Sequence, residues 1–312
     1  LTVPPIRIAV VGLGKIARDQ HLPAIASNDD FQLAAVIDPA ASGVEGVPRF
    51  DSLDALFRNG PAVDAVVLCT PPQVRYALAR EALKNNVHVF LEKPPGATLA
   101  EVAALAQRAD ASGLTLFAGW HSRYAAGVEP ARAWLAGRKI ESVSISWRED
   151  VRVWHPGQEW IWEAGGLGVF DPGINALSIA TYILPRAFIL RSATLSIPAN
   201  RGAPIAADLQ FIDGDGVPMS MDLDWRQTGP QSWDIVVETD EGRLALAKGG
   251  AVLTLPGRDV GGEDREYAGM YSRFASLVRS RSSDVDTAPL RLVADAFLLG
   301  RREPTEAFHW AS

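Results

Sequence analysis

The segment that most constrains the fold is "IRIAVVGLGKIARDQHLPAI", Ile6 to Ile25. It reads as an apolar strand, a glycine-rich turn and the start of a helix. Gly12, Gly14 and Ala17 stand in G-x-G-x-x-A spacing. The first glycine permits a tight turn, the second lets the main chain approach a pyrophosphate, and the small third residue lets the helix pack on the strand. The N–H groups that open the helix, around Lys15 and Ile16, then present partial positive charge to phosphates. Such a fingerprint is weak alone, so its surroundings decide.

Those surroundings repeat the pattern. "FQLAAVID" is a second strand that ends at Asp38, where an acidic residue bonds the adenosine ribose of a dinucleotide. "DAVVLCTPP", "VHVFLEKPP" and "LTLFAGWH" read as further strands, with helical stretches "QVRYALAREALKNN" and "TLAEVAALAQRADASG" between them. Alternating strands and helices predict a parallel, doubly wound Rossmann sheet over residues 1–121. Thr70, Pro71, Glu92 and Lys93 fall at the carboxyl ends of strands, where such sheets hold their ligands, and are candidate cofactor contacts. Lys93 sits in "LEKPPG", where Pro94 and Pro95 end the strand. Taken by itself, a lysine there is ordinary solvated surface.

After His121 the pattern changes, and residues 122–312 read as a second, α+β domain. Runs such as "ESVSISWRED", "FILRSATLSI", "ADLQFID", "PMSMDLDW" and "SWDIVVETD" alternate like strands with one wet face. Consecutive strands without helices between them predict a mostly antiparallel, open sheet. "REYAGMYSRFASLVRSR" and "PLRLVADAFLLGRR" read as helices of this same domain.

Two groups of residues stand out there. In "GGLGVFDPGINALSIATYIL", Asp171 and Asn175 are four apart and share a helix face. Asp171 before a proline is also a common helix cap, and that reading stays open. Asn175 is harder to explain structurally, since asparagine is a poor interior helix former and costly to bury unpaired. Eight of the nine tryptophans fall between Trp120 and Trp233, so packing accounts for many of them. Yet "REDVRVWHPGQEWIW" mixes Trp154 with Glu149 and His155 in what reads as a loop. Aromatic faces back the C–H face of a sugar, and such polar groups bond its hydroxyls. There is no H-E-x-x-H, paired-histidine spacing or cysteine cluster, so no metal site is expected.

Composition narrows the partners. A net charge of -7 gives no support to nucleic-acid or anionic-membrane binding. The lone Cys69 lies in an apolar run and reads as a buried thiol in a reducing, cytoplasmic setting. No run is long enough to span a membrane, and the N-terminal residues lack the order of a signal peptide.

Together, the fingerprint, "EKP" and "GGLGVFDPGIN" resemble the Gfo/Idh/MocA family of sugar oxidoreductases along the whole chain. "GKIARDQHLPAI", "WHSR", "WHPGQEWIWE" and "APLRLVADAF" are similar to its aldose 1-dehydrogenase branch. The family carries a catalytic lysine in E-K-P and D-x-x-x-H on the helix. Here the last position is Asn175, as in that branch. The resemblance implies that Lys93, Asp171 and Asn175 carry the chemistry, and that His121, Glu149, Trp154, His155 and Trp233 line a sugar pocket. It implies oxidation of a pyranose, D-galactose and/or L-arabinose, at C1 to the aldonolactone with hydride transfer to NAD(P). Asp38, followed by Pro39 with no Arg or Lys before Arg49, points to NAD over NADP, with NADP still possible. Whether Lys93 or Asp171 is the base stays open. The rival reading is a non-catalytic dinucleotide- and sugar-binding sensor on the same fold. Monomer and homodimer are both compatible with the sequence.

Overall fold

The computed structural model describes residues 4–310. The chain forms two compact units, one of residues up to His121 together with Tyr267–Thr287, the other of Ser122–Glu266 together with the residues from Ala288 onward.

In the first unit, β1 (Ile6–Val11), β2 (Phe31–Ile37), β3 (Arg49–Phe50), β4 (Ala65–Leu68), β5 (His88–Glu92) and β6 (Leu116–Gly119) form one sheet in the order β3-β2-β1-β4-β5-β6. Every pair is parallel. α1 (Leu22–Ala26), α2 (Leu53–Asn59), α3 (Pro72–Lys84) and α4 (Leu99–Ala111) make the crossovers. Parallel sheets need both faces covered, so β4 and β6 are buried along their whole length. Val11, Ile37, Val66, Leu68, Val89 and Leu91 pack against Leu53, Leu56, Ala79 and Leu105 of the helices. The strand order reverses between β1 and β4, which makes that place the topological switch point. α1 is preceded by a π-helical turn, Ala17–His21, that the sequence pattern does not announce.

The helix Glu266–Ser280 corrects the expected domain division. From Tyr267 onward it belongs to the first unit, not the second. Its apolar face carries Tyr267, Met270, Tyr271 and Phe274 at helical spacing, all buried. The Tyr271 ring lies 5.3 Å from Phe31 and 5.4 Å from Phe90, and Phe274 lies 5.3 Å from Phe90. An amphipathic pattern shows that a face is buried but not which core receives it, so a single boundary after His121 does not describe the chain.

The second unit is a nine-stranded sheet: β7 (Ile140–Arg148), β8 (Phe188–Pro198), β9 (Ala206–Asp213), β10 (Pro218–Asp224), β11 (Ser232–Thr239), β12 (Gly242–Ala247), β13 (Val252–Leu255), β14 (Arg258–Gly261) and β15 (Arg301–Thr305). Their order is β14-β13-β12-β11-β7-β10-β9-β8-β15. As the alternating runs predict, most neighbours are antiparallel. Two pairs are parallel, β7 with β10 and β8 with β15, and in each case helices intervene in the chain. β15, "RREPT", has no strand-like pattern; charge and a proline suit it to the sheet edge. α5 (Val128–Leu135) and α7 (Phe170–Ile183) pack over the sheet, α7 on β7 and β11. A Cβ on Gly173 would come within 2.7 Å of Leu223 Cδ1, so this glycine lets α7 lie close against β10. The "VRVWHPGQEWIW" stretch, expected as a loop, contains two short helical pieces, α6 (Val151–Trp154) and a 3-10 turn at Glu159–Trp162. Asp150 caps the first through a 2.9 Å bond from the Arg152 N–H.

Candidate active site

The fingerprint turn is built as its spacing requires. Gly12 has φ +87°, and a Cβ there would also sit 3.0 Å from Thr70 Cγ2 and 3.1 Å from Thr70 N. A Cβ on Gly14, by contrast, would meet nothing within 4 Å, so the space above the second glycine is open to a phosphate. Lys15 and Ile16 are exposed beside it, with Lys15 paired to Asp19. Asp38 Oδ2 accepts the Leu13 N–H at 2.8 Å, which ties the end of β2 to the turn. Its Oδ1 accepts from Ala40 at 2.9 Å and Ala41 at 2.8 Å. Burial pushes the Asp38 carboxyl up. The hydrogen bonds from Ala41, Leu13 and Ala40, with the charge of Arg49, outweigh that and hold it below the usual carboxylate value. The side chain is therefore a fixed anion at neutral pH. Arg49, distant in sequence, donates to the Asp38 carbonyl at 2.9 Å and to that of Pro39 at 3.2 Å.

Thr70 and Pro71 lie just past β4, after Cys69, and the shielded Thr70 Oγ1 has no hydrogen-bond partner among the described residues. An orphaned hydroxyl beside an open glycine turn, with an anionic carboxylate at the end of β2, fits a dinucleotide. Gly12, Gly14, Lys15, Ile16, Asp38, Thr70 and Pro71 would hold it, and a bound nicotinamide would supply a hydride acceptor.

Lys93 follows β5 and is half-buried. Its own N–H donates to Glu92 Oε2 at 2.6 Å. The buried guanidinium of Arg75, from α3, donates to the carbonyls of Thr70, Glu92 and Pro94. His121, just past β6, stacks on Tyr267 with ring centroids 5.5 Å apart.

The second unit gathers most of the sugar-pocket candidates, and the strand phases explain how. On β7, Val143, Ile145 and Trp147 point inward in alternation, and Glu149 continues that phase. On β10 the inward series is Met219, Met221, Leu223 and then Trp225. On β11 it runs Trp233, Ile235, Val237. β7 lies between the other two, with Trp147 opposite both Leu223 and Trp233. Three inward stripes therefore end on one carboxylate. Trp225 Nε1 donates to Glu149 Oε1 at 3.3 Å and Trp233 Nε1 to Oε2 at 2.9 Å. Glu149 is only 4% exposed. His155 Nε2 lies 3.8 Å from Glu149 Oε1 and 3.6 Å from Asp171 Oδ2. Trp154 packs edge-on against Trp233 at 5.3 Å and donates to Gln231 Oε1 at 2.8 Å.

Asp171 is not a helix cap. α7 starts one residue earlier, its cap is Val169, and the Asp171 carboxylate is buried beside His155. Asn175 is half-buried one turn along, and its carbonyl accepts from Ser178 Oγ at 2.7 Å. The structure thus brings Asp171, His155, Glu149, Trp233 and Trp154 into one connected group. Sequence reasoning missed Trp225, Gln158 and Gln231. Trp225 was findable, because it closes the alternating run "PMSMDLDW" in the inward phase. Gln158, 3.4 Å from His155 Nδ1, and Gln231 gave no signal. Among the described residues no group of three or more His, Cys, Asp and Glu side chains is arranged to hold a metal ion. No described helix is long and apolar enough to cross a membrane.

Comparison with known proteins identifies the family. Residues 6–120 match the family described as "Oxidoreductase family, NAD-binding Rossmann fold". Galactose 1-dehydrogenase of Pseudomonas fluorescens is 46% identical over 306 residues, 98% of this chain and 99% of that protein. The crystal structure of a D-galactose-1-dehydrogenase protein from Rhizobium etli superposes with a TM-score of 0.95 at 56% identity, covering 99% of both chains. A 3-ketoreductase from Actinomadura kijaniata, solved with TDP-benzene and NADP, superposes with a TM-score of 0.85 at 19% identity over 96% of this chain and 99% of that one, a likeness of fold alone. The chain belongs to the Gfo/Idh/MocA oxidoreductase family.

Proposed function

We propose that this protein is an NAD(P)-dependent aldose 1-dehydrogenase that oxidises C1 of D-galactose, and also of L-arabinose, to the aldonolactone. NAD is the preferred acceptor. The observation that carries the reading is the likeness over nearly the whole chain to two galactose 1-dehydrogenases. The chemistry requires that C1 lose a hydride and O1 a proton, leaving a C1=O bond in the lactone. Lys93 is assigned to hold O1 by its ammonium group, and Asp171 to take the O1 proton as a buried carboxylate. Asn175, which cannot titrate, orients O1. Glu149, fixed by two indole donors, accepts from ring hydroxyls. Trp154 and Trp233 back the apolar face of the ring, and His155 and His121 add polar contacts. Asp38 bonds the adenosine ribose hydroxyls. Use of a nicotinamide cofactor fits a cytoplasmic enzyme.

The test is a rate panel over D-galactose, L-arabinose, D-fucose, D-glucose and D-xylose, each with NAD and with NADP, with the lactone identified as product. Turnover of D-galactose with lactone formation is expected. Binding of NAD and galactose without turnover would instead make the protein a sensor.

A further inference from the structure

We infer that His21 is a positioning residue of the reaction, which acts through Glu92 to fix the main chain at Lys93. The inference rests on the reading of Lys93 as catalytic.

His21 is fully buried, as is Tyr271, and Glu92 is 3% exposed. A buried imidazole beside a buried carboxylate is costly unless its polar atoms are used. Here each of them is. His21 Nε2 lies 3.1 Å from Glu92 Oε1, and Nδ1 lies 2.8 Å from the Tyr271 hydroxyl. The Tyr267 hydroxyl donates to the same Glu92 Oε1 at 3.0 Å. The other oxygen, Oε2, takes the Lys93 N–H at 2.6 Å. Burial pushes Glu92 up. The hydrogen bond and charge of His21, then the charges of His121 and Lys93, more than offset this and hold it at about 2, so it stays an anion and accepts all three bonds. Burial pushes the Tyr271 phenol well up, so it keeps its proton beside Nδ1. A carboxylate only accepts, so Nε2 is the donor in its contact with Glu92.

Packing alone does not ask for this arrangement. Replacing a buried ion pair by apolar groups of similar volume is often neutral or stabilising. What the pair secures is one main-chain N–H, that of Lys93. The carbonyls on either side, of Glu92 and Pro94, are gripped by buried Arg75. Lys93 is therefore held from both flanks by buried charged groups. His21 is also the last residue of the π-helical turn that opens the fingerprint helix, and π turns collect at functional sites.

The experiment compares His21→Phe and His21→Gln with the wild type in single-turnover hydride transfer with D-galactose and NAD. A damaged fold lowers the amplitude, because fewer molecules are competent. A displaced Lys93 lowers the rate constant at full amplitude. His21→Phe is expected to slow the rate constant about tenfold or more, as small misplacements at a reacting centre do, with KM for NAD within about twofold. His21→Gln keeps a donor toward Glu92 and should recover most of the rate. A folded His21→Phe protein with an unchanged rate constant overturns the inference, whether or not its amplitude falls. If that variant does not fold, Tyr267→Phe decides, since it removes one hydroxyl from the same carboxylate. A slower rate constant at full amplitude supports the role, and an unchanged one overturns it. A wild type that turns over no aldose refutes the reading of Lys93 instead.

Discussion

Trp233 donates its indole N–H to Glu149 Oε2 at 2.9 Å from the neighbouring strand, so the carboxylate is held in one orientation. Trp225 does the same to the other oxygen at 3.3 Å. On the proposed reading this fixed acid accepts from the sugar's ring hydroxyls. Glu149→Gln is therefore expected to raise KM for D-galactose about 10- to 100-fold, the worth of a hydrogen bond to a charged group, with a smaller effect on kcat. Steady-state kinetics with saturating NAD measures this. An unchanged KM would remove Glu149 from the sugar-binding group.

Much of this was legible from residue patterns. The fingerprint and the βα alternation placed the parallel Rossmann sheet correctly, because local turn chemistry and strand ends settle it. The pairing of Glu149 with Trp233 was not legible, although both residues had been singled out. It depends on β7 and β11 being neighbours with Trp147 opposite Trp233, and register across a sheet is a long-range property. The destination of the helix that carries Tyr267 and Tyr271 escaped for the same reason. Its stripe fits any apolar surface, and only the aromatic cluster of Phe31, Phe90 and Phe117 selects it.

Lys93→Met keeps most of the length of the side chain and removes its charge. NAD affinity should remain near the wild-type value, because the fingerprint turn and Asp38 are untouched. kcat should fall by about 100-fold or more, as loss of the group that holds the reacting oxygen in place does. Isothermal titration with NAD and steady-state rates on the same preparation separate the two quantities. Near-normal turnover by the folded variant would return Lys93 to ordinary surface.

Asp171→Asn separates chemistry from helix capping. The cap of α7 is Val169, so the substitution should leave the melting temperature almost unchanged. An amide cannot accept the O1 proton, and turnover should nearly vanish. Asn175→Ala removes an orienting group only, and its kcat should lie between that of Asp171→Asn and the wild type. If Asp171→Asn stays active, the proton has another acceptor.

Asp38 predicts the cofactor. Its carboxylate is an anion held by three N–H groups, suited to ribose hydroxyls and repulsive to a 2′-phosphate. kcat/KM should favour NAD over NADP. Arg49 lies beside the Asp38 carbonyl, with its guanidinium also paired to Asp51 at 2.9 Å, so a counter-charge is near but engaged. Asp38→Ser combined with Pro39→Arg should therefore shift the NADP/NAD ratio of kcat/KM upward by about tenfold or more, through loss of like-charge repulsion at short range. A wild-type preference for NADP would mean that Arg49 releases its partners to meet the phosphate.

The last prediction concerns the sugar. In their pyranose rings D-galactose and L-arabinose share configuration at C2, C3 and C4, and L-arabinose lacks only the C6 hydroxymethyl. D-Fucose lacks only O6. A group that reads those three hydroxyls should accept all three sugars. D-Glucose and D-xylose present an equatorial hydroxyl at C4 where the accepted sugars present an axial one. The candidate acceptors, Glu149 and Asp171, are 4% and 3% exposed, so water cannot readily replace a lost sugar hydroxyl. Leaving a buried charged acceptor unpaired costs a few kcal/mol, which corresponds to about 100-fold or more in kcat/KM. D-Glucose and D-xylose should therefore be poorer substrates by at least that margin. Measuring kcat/KM for the five sugars decides it. Equal turnover of D-glucose and D-galactose would place the C4 hydroxyl in water, away from both carboxylates, and would leave an aldose 1-dehydrogenase whose selectivity is set elsewhere on the ring.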